Sequence, residues 1–533
     1  MIISVAYLQS LFLSKFRMMA DKQEFFDYIN AGYTTKGEFI TLGAAMLEGD
    51  TITNALVKIP LKTMNRHGLI AGATGTGKTK TLQIIAENLS EKGVPVLLMD
   101  MKGDLSGIAQ PSPGHAKIDE RHAAIGFPFE AKKFPVEILT LSKQNGVRLR
   151  ATVSEFGPVL ISRILGVSET QAGIISILFK YCDDNKLPLL DLKDFKKIIQ
   201  YASEEGKAEI AREYGRISPA SSGAILRKIV ELEQQGGDLF FGEKSFDTDD
   251  LLRIDRNGMG YINIVRLTDI QDRPKLFSTF MLCLLAEIYS TFPEQGDTGR
   301  PELVIFIDEA HLIFKEASNA LLDQIESIVK LIRSKGVGIY FVTQNPTDVP
   351  DGVLSQLGLK IQHALRAFTA KDRKAIKLTA ENYPLSDYYQ TDQVLTSLGT
   401  GEALVSVLNE KGIPTPLAAT MLRAPMSRMD ILEDSELQEL LEDSKLVKEY
   451  NKEIDRESAY ELLNKKIEVA NQKEVKEKAE KEKAATRKSS SRSRSSSGRT
   501  TSRRRSSKSA LEKVLTSPTV IRSVLGILSK MLR

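Results

Sequence analysis

The chain has 533 residues, 42% of them hydrophobic and 27% charged, which is too long for one small core and predicts two to four domains of about 150 residues each. Its two cysteines, Cys182 and Cys283, lie far apart in apolar stretches, which argues against a disulfide framework or a cysteine metal site and favours a reducing, cytoplasmic compartment. The net charge is +4, but residues 487–508 contain nine Lys and Arg and no acid. Subtracting those nine charges leaves −5 on the rest of the chain, so any nucleic-acid affinity of the body must come from local loops.

Residues 1–34 are predicted to be an N-terminal extension. Residues 1–16 (MIISVAYLQSLFLSKF) are apolar, but they lack the basic beginning and the small-residue cleavage site of a signal peptide. A protein start at Met18 or Met19 explains this stretch equally well. No apolar run in the sequence reaches the ~18 residues that a membrane span needs.

A phosphate-binding loop is predicted directly after the first core strand. Residues 72–79 (GATGTGKT) fit G-x-x-x-x-G-K-[ST], in which a glycine-rich turn aims backbone N–H groups at a polyphosphate. The helix predicted over residues 80–90 would direct its positive dipole end at the phosphates, and this context disfavours a simple surface turn. Lys78 would reach the β- and γ-phosphates of ATP, and the Thr79 hydroxyl would bind Mg²⁺. The residues predicted to bind the nucleotide here are Gly72, Ala73, Thr74, Gly75, Thr76, Gly77, Lys78, Thr79 and Lys80.

Apolar runs alternate with helical stretches from about residue 66 to residue 415, which is typical of an α/β fold with a mainly parallel sheet. The predicted strands are residues 68–71, 94–100, 135–141, 260–265, 303–308, 337–343 and 402–408. Residues 154–255 have a helical pattern and are predicted to be an inserted α-helical subdomain, since topology alone needs no connection of ~100 residues. Residues 35–153 and 256–425 would then be the two parts of the core.

Two adjacent acids follow a buried strand in the stretch ELVIFIDEAHLIF. Asp308 can bind the Mg²⁺ ion, and Glu309 can orient and polarise the attacking water. The alternative is a strand-end cap, but two buried adjacent acids are costly without a cation. His311, two residues further, is as consistent with packing as with chemistry.

Polar residues also follow two other predicted strands. Gln344 follows residues 337–343 and can bridge the γ-phosphate and the water, or it can be a satisfied polar cap. Asp100 and Lys102, in LLMDMKGDLSG, lie at the strand edge where open α/β sheets bind ligands. They are predicted to line the nucleotide pocket or to couple it to the substrate.

Three C-terminal segments follow the core. Residues 426–486 are rich in Glu and Lys and are predicted to be a charged helical linker. Residues 487–510 are a basic Ser/Arg-rich segment of disordered composition, either a nucleic-acid-binding arm or a solubilising linker. Residues 511–533 are predicted to be an amphipathic helix that docks on a partner protein, on the body or on a membrane surface, and its slight basic charge favours a protein.

Six stretches together resemble the HerA-like P-loop ATPases of the HerA/FtsK superfamily, and within it the bacterial YjgR-like branch. They are GATGTGKT, DMKGDLSG, VIFIDEAHLIF, LIRSKGVGIYFVTQNPTDVP, IQHALRAF and GTGEALVSVL. The resemblance covers roughly residues 35–425, and the stretches after residue 300 are the most specific. It implies a RecA-like P-loop NTPase core that binds ATP and Mg²⁺, assembles as a homohexameric ring and drives DNA, or sometimes protein, through a central channel.

The resemblance also assigns roles to individual residues. Arg333, in LIRSK, corresponds to the arginine finger of the family, and Arg366, in HALRAF, corresponds to a second basic residue near the subunit boundary. The remaining implied roles are Lys78 and Thr79 as the phosphate and magnesium residues, Asp308 and Glu309 as the Walker B pair, and Gln344 as the sensor.

The leading hypothesis for function is therefore an ATP-driven DNA translocase or helicase-like ATPase. A protein-handling or regulatory ATPase is one alternative, and a nucleotide-dependent scaffold attached through its terminal helix is another. A small-molecule kinase is disfavoured, because the glutamate beside Asp308 suits the activation of water. ATPase activity that DNA stimulates would distinguish the first hypothesis from the others.

Overall fold

The computed structural model describes residues 21–296, 298–315, 319–452, 454 and 456–491. The residues before 21, the basic segment beyond residue 491 and the predicted terminal helix 511–533 lie outside the described residues. The chain divides into a compact body that ends at Lys465 and a second unit from Lys466 onward. None of the helices in the described part combines the length and the hydropathy that a bilayer span requires.

Twelve strands form one sheet. They are β1 Phe39–Leu47, β2 Asp50–Pro60, β3 Gly68–Ala71, β4 Val96–Asp100, β5 Val136–Thr140, β6 Val147–Arg148, β7 Ile262–Arg266, β8 Leu303–Ile307, β9 Val337–Thr343, β10 Leu359–His363, β11 Glu402–Ser406 and β12 Ala418–Leu422. Their order across the sheet is β2-β1-β12-β11-β10-β3-β9-β8-β4-β7-β5-β6.

The sheet has a parallel part and an antiparallel part. From β10 to β6 every neighbouring pair is parallel, and from β10 to β2 every pair is antiparallel. Strands β3, β4, β8 and β9 are buried along their whole length, as expected for parallel strands with helices on both faces. The predicted α/β class with a mainly parallel sheet is confirmed, and the carboxyl ends of these four strands share one edge.

The helices of the core surround this sheet. They are α1 at residues 21–32, α2 Lys78–Glu91, α3 Ala116–Ile125, α10 Pro274–Thr291, α11 His311–Lys315, α12 Asn319–Leu331, α13 Asp351–Leu354, α14 Ala370–Glu381 and α15 Thr391–Ser397. Short 3₁₀ helices cover Leu61–Arg66, Ser106–Ala109, Thr248–Leu252, Ile332–Lys335 and Pro346–Asp348.

Helices also occupy the long connection between β6 and β7. They are α4 Val153–Leu165, α5 Glu169–Asp184, α6 Leu192–Ser203, α7 Lys207–Glu213, α8 Pro219–Gln234 and α9 Gly237–Phe240. Capping boxes at Thr152, Ser168 and Asp191 begin three of them, because each side chain accepts a hydrogen bond from the backbone three residues later. This connection has buried apolar residues of its own, such as Phe195 and Ile225.

The C-terminal part of the body is helical but is not fully solvated. Its helices are α16 Asp434–Asp443, α17 Lys445–Tyr450 and the beginning of α18 Ala459–Ser491, most of which belongs to the second unit. Met426, Leu441, Leu446 and Tyr450 are buried. The beginning of the segment that composition suggests to be a charged linker therefore packs on the core.

Candidate nucleotide-binding site

The loop between β3 and α2 allows close approach of an anion. Gly72 has a φ of +151° and Gly77 a φ of +113°, and a Cβ at Gly72 would lie 2.5 Å from the Cβ of His363. Both positions therefore need glycine. Helix α2 begins at Lys78, and in the described structure no side chain caps it. The N–H groups of its first turn are left for a ligand.

The Lys78 side chain lies within this loop. Its Nζ donates to the carbonyl oxygen of Gly72 at 2.7 Å and to that of Ala73 at 3.2 Å. Burial lowers the pKa of Lys78 below its ordinary value, the positive charge of Lys102 lowers it further, and Glu309 and Asp308 act in the opposite direction. The structure therefore brings Lys78 within electrostatic range of both predicted acids, although they are more than 200 residues away in sequence.

The other predicted loop residues differ in exposure. Thr76 is buried, and its Oγ1 donates to the carbonyl oxygen of Ala73 at 2.7 Å, which closes the turn. Thr74 and Gly75 are exposed at the tip of the loop. Thr79 and Lys80 are half-buried in the first turn of α2.

The two acids follow β8 at the same edge of the sheet. Asp308 is 3% exposed and Glu309 is 8% exposed. The backbone N–H of Glu309 donates to Asp308 Oδ1 at 2.9 Å, and Ala310 N–H donates to the carbonyl oxygen of Val342 on β9 at 3.0 Å. Burial raises the pKa of Asp308 to about 6, and the charge of Lys102 opposes that rise. A nearby cation is thus needed to keep this carboxyl ionised at low cost.

The available donors fit a magnesium ion. Hydroxyl and carboxylate oxygens, such as those of Thr79 and Asp308, are the ligands that Mg²⁺ takes in combination with phosphate and water. Oε2 of Glu309 is buried and accepts no hydrogen bond from the described residues, although Nδ1 of His311 lies 3.3 Å away. A buried acid pair with an unsatisfied oxygen is an environment that a divalent cation stabilises.

The loop after β4 places a lysine against the acid pair. The Asp100 carboxylate is 1% exposed and accepts hydrogen bonds from the N–H of Gly103 at 2.7 Å and of Leu105 at 3.3 Å. The loop therefore turns back on itself, and Nζ of Lys102 lies 2.7 Å from Glu309 Oε1 and 3.7 Å from Asp308 Oδ2. The described hydrogen bonds of the Asp100 carboxylate are thus with its own loop, whereas Lys102 contacts the predicted catalytic acids.

Gln344 lies in an open cavity beside these acids. It is exposed after the last residue of β9. The cavity has a volume of about 580 Å³, and His311, Asn345 and Asp348 also line it. Because β8 and β9 are parallel neighbours, Gln344 and Glu309 follow adjacent strands at one edge of the sheet. Gln344 thus lies at the same edge of the sheet as the acid pair, and its role as a sensor stays a prediction.

Arg333 and Arg366, the two predicted arginines, lie at opposite ends of the parallel strands. Arg333 is exposed in the 3₁₀ helix that precedes β9, so the seven residues of that strand separate it from Gln344, a distance of about 20 Å. Arg366 is exposed after β10, which pairs in parallel with β3. It therefore follows the strand edge that carries the phosphate-binding loop, and its guanidinium donates to the carbonyl oxygen of Thr396 at 3.4 Å.

His363 contacts the loop and was not predicted from the sequence. It is fully buried at the end of β10, and its Nε2 hydrogen-bonds Oγ1 of Thr81 on α2 at 2.8 Å. Burial lowers the pKa of His363 to about 4, and Lys78 adds to this effect, so the ring is neutral at pH 7. His363 belongs to the stretch IQHALRAF, but the spacing of residues in that stretch does not indicate the hydrogen bond with Thr81.

The loop before β11 also supports the phosphate-binding loop. The N–H of Gly401 donates to the carbonyl oxygen of Thr76 at 3.0 Å. Arg121 on α3 donates to the carbonyl oxygens of Gly401 at 3.1 Å, Leu422 at 3.0 Å and Thr400 at 3.2 Å. The stretch GTGEALVSVL therefore has a structural role next to the nucleotide site, which its sequence alone does not reveal.

The fold and the site define a P-loop ATPase. A glycine-rich loop and an uncapped helix N-terminus for phosphate lie beside a buried Asp-Glu pair at the carboxyl edge of a mainly parallel sheet. Residues 46–533 match the family model described as "Helicase HerA-like C-terminal". The chain belongs to this HerA-like family, and the prediction of a HerA-like ATPase is confirmed.

Similar proteins include two from archaea. The DNA double-strand break repair helicase HerA of Sulfolobus acidocaldarius is 24% identical in an alignment of 396 positions that covers 71% of this chain and 69% of the relative. The probable helicase MJECL08 of Methanocaldococcus jannaschii is 27% identical in an alignment of 382 positions that covers 66% of this chain and 65% of the relative. The chain therefore spans about two thirds of the length of these relatives.

A solved structure shares the fold. The bacterial conjugative coupling protein TrwBdeltaN70 superposes with a TM-score of 0.50 at 16% identity, over 76% of this chain and 94% of the coupling protein. At this identity the likeness concerns the fold alone.

Proposed function

We propose that this chain is a Mg²⁺-dependent, bacterial, cytoplasmic ATPase that acts on DNA as a translocase or helicase-like motor in a homohexameric ring. The observation that carries the proposal is the position of the buried acid pair, which lies within electrostatic range of Lys78 in the phosphate-binding loop and in contact with Lys102. Binding alone does not require a second acid beside Asp308. A glutamate in that position suits activation of a water molecule.

The proposed roles follow from the positions of the side chains. Lys78 binds the β- and γ-phosphates when it exchanges its two carbonyl partners for phosphate oxygens, which are stronger acceptors. Thr79 and Asp308 would hold Mg²⁺, which would neutralise charge on the phosphates. Glu309 orients the attacking water, and Gln344 reports the presence of the γ-phosphate to the chain beyond β9.

Arg333 and Arg366 are proposed to act between subunits. Arg333 lies about 20 Å from the edge that holds the nucleotide of its own subunit, so the subunit's own phosphate is out of its reach. A ring in which each Arg333 faces the next subunit's nucleotide removes this difficulty. Arg366, which follows β10 at the nucleotide edge, is proposed to stabilise the same boundary.

DNA is proposed as the substrate because similar proteins are named for it. Besides the DNA double-strand break repair helicase HerA, the DNA import protein CedB of Sulfolobus acidocaldarius is 23% identical over 67% of this chain and 52% of its own length. The body outside the basic segment is mildly acidic. Contacts to the DNA phosphates must therefore come from local basic loops or from the basic segment 487–510.

The direct test is ATP hydrolysis by the purified full chain with and without DNA. We expect DNA to increase the rate and Lys78→Ala to abolish it under both conditions. If no form of DNA changes the rate of ATP hydrolysis, the result would favour a protein-handling ATPase. If the wild type does not hydrolyse ATP at all, the proposed chemistry would be excluded.

A further inference from the structure

The acid pair Asp308 and Glu309 is contacted by the positively charged side chain of a lysine of the same chain. Nζ of Lys102 lies 2.7 Å from Oε1 of Glu309 and 3.7 Å from Oδ2 of Asp308, and the lysine side chain is 40% exposed. One ammonium thus contacts both carboxylates. Lys78 acts on the same acids through its charge, but its Nζ hydrogen-bonds carbonyl oxygens of the loop.

The fold fixes the backbone that carries this lysine. Strands β4 and β8 are parallel neighbours with Met99 opposite Ile307, so the residues after β4 lie alongside the residues after β8. The Asp100 carboxylate binds two N–H groups of the loop, and the side-chain amide of Gln271 donates to the carbonyl oxygen of Met101. Lys102 is therefore held between two anchored positions rather than on a free surface loop.

The contact of Lys102 with Asp308 lowers the affinity of this site for a metal ion. A cation near Asp308 lowers the free energy of the buried carboxylate, as a metal ion would, and it also repels a second cation. The same lysine lies 2.7 Å from Oε1 of Glu309 and therefore competes with water for one of the two carboxylate oxygens through which Glu309 can act as a base. Both acids are thus engaged by one side chain.

We propose that Lys102 is the resident counter-cation of the acid pair, that it competes with Mg²⁺ for Asp308, and that Mg²⁺·ATP must displace it from Glu309 before hydrolysis. This inference rests on the proposed Mg²⁺·ATP chemistry of the site. Lys102 is a positioning residue in this scheme, since it acts through Glu309 and Asp308.

The test measures metal binding without nucleotide. Mn²⁺ is added to the nucleotide-free full chain, and free Mn²⁺ is followed by electron paramagnetic resonance. Lys102→Met keeps the length of the side chain and removes its charge, and we expect it to tighten Mn²⁺ binding about tenfold, as for removal of one partly screened like charge. Adding Asp308→Asn to that variant should abolish the gain.

Three further variants separate charge from structure. Lys102→Arg restores the cation and should bind Mn²⁺ as weakly as the wild type, and Lys102→Gln replaces Lys102→Met if the latter is unstable. Lys132→Met removes a half-buried lysine that pairs with Glu91 at 2.6 Å, and it should leave Mn²⁺ binding unchanged. Equal Mn²⁺ affinity of the wild type and both neutral variants would overturn the proposal. Mn²⁺ binding is measured without nucleotide, so its result does not depend on ATP hydrolysis. Failure of the wild type to hydrolyse ATP would therefore contradict the proposed function and not this inference.

Discussion

Glu309 leaves strand β8 in a left-handed backbone conformation, with a φ of +47°. This conformation costs a non-glycine residue about 1 kcal/mol or more, and it persists where neighbouring contacts fix it. Here the hydrogen bond from Ala310 to Val342 joins the turn to β9. Backbone strain directly after a buried strand thus sets the direction of the carboxylate that we assign to water activation.

The division of labour between Lys78 and Glu309 can be tested by substitution. Glu309→Gln should keep ATP binding and lower the rate of hydrolysis about 10²- to 10⁴-fold, because it removes the base but not the phosphate contacts. Lys78→Ala should lose ATP binding. A fluorescent ATP analogue and phosphate release measure the two effects. Glu302→Gln, at the other end of β8, is the matched control, and wild-type turnover by Glu309→Gln would remove Glu309 from the mechanism.

Sequence predicts the residues of this site unequally. Positions 72–79 and the acid pair are contiguous in the chain, so their spacing carries the signal. The contacts of Lys102 with Glu309 and of His363 with Thr81 join residues that are distant in sequence. They depend on which strands become neighbours in the sheet, and no local pattern encodes that order.

At the scale of elements, seven predicted strands coincide with β3, β4, β5, β7, β8, β9 and β11, within a few residues at their ends. Five strands were not predicted. Strand β1 (FITLGAAML) has small residues and two register shifts against β2, and β10 (LKIQH) carries polar residues at buried positions. Such strands have weak β-propensity and are difficult to predict from the sequence, because contacts with the rest of the sheet stabilise their pairing.

Helix α3 provides a test of the support for the phosphate-binding loop. Arg121→Ala should remove the side-chain donor of three carbonyl oxygens, of which that of Gly401 keeps the N–H of Leu422, at a cost of about 1–3 kcal/mol in unfolding free energy. Because Gly401 hydrogen-bonds Thr76, we also expect a higher KM for ATP with a smaller change in kcat. Denaturant unfolding and steady-state kinetics measure both effects. Lys117 is exposed on the same helix, and Lys117→Ala should change neither the unfolding free energy nor the KM for ATP. An unchanged KM in Arg121→Ala would show that the loop before β11 does not affect nucleotide binding.

At the scale of the whole molecule, the position of Arg333 argues for a site shared between subunits. Lys78→Ala and Arg333→Ala should each be inactive alone, since an arginine supplied to the phosphates contributes ~10³ or more in rate. When the two variants are mixed and subunit exchange is confirmed, some interfaces pair an intact loop with an intact arginine, and partial ATPase activity should return. Lys330→Ala, exposed on α12, should stay active alone. No recovery in mixed rings would show that Arg333 acts within its own subunit or not at all.

Movement along DNA is the central claim, and displacement of a third DNA strand measures it most directly. A duplex carries a bound triplex-forming oligonucleotide, and the full chain is added with Mg²⁺·ATP. We predict that the wild type releases the oligonucleotide at a rate that depends on ATP, and that Glu309→Gln binds the duplex but releases none. Failure of the wild type to displace the oligonucleotide, under conditions where DNA stimulates its ATP hydrolysis, would contradict translocation.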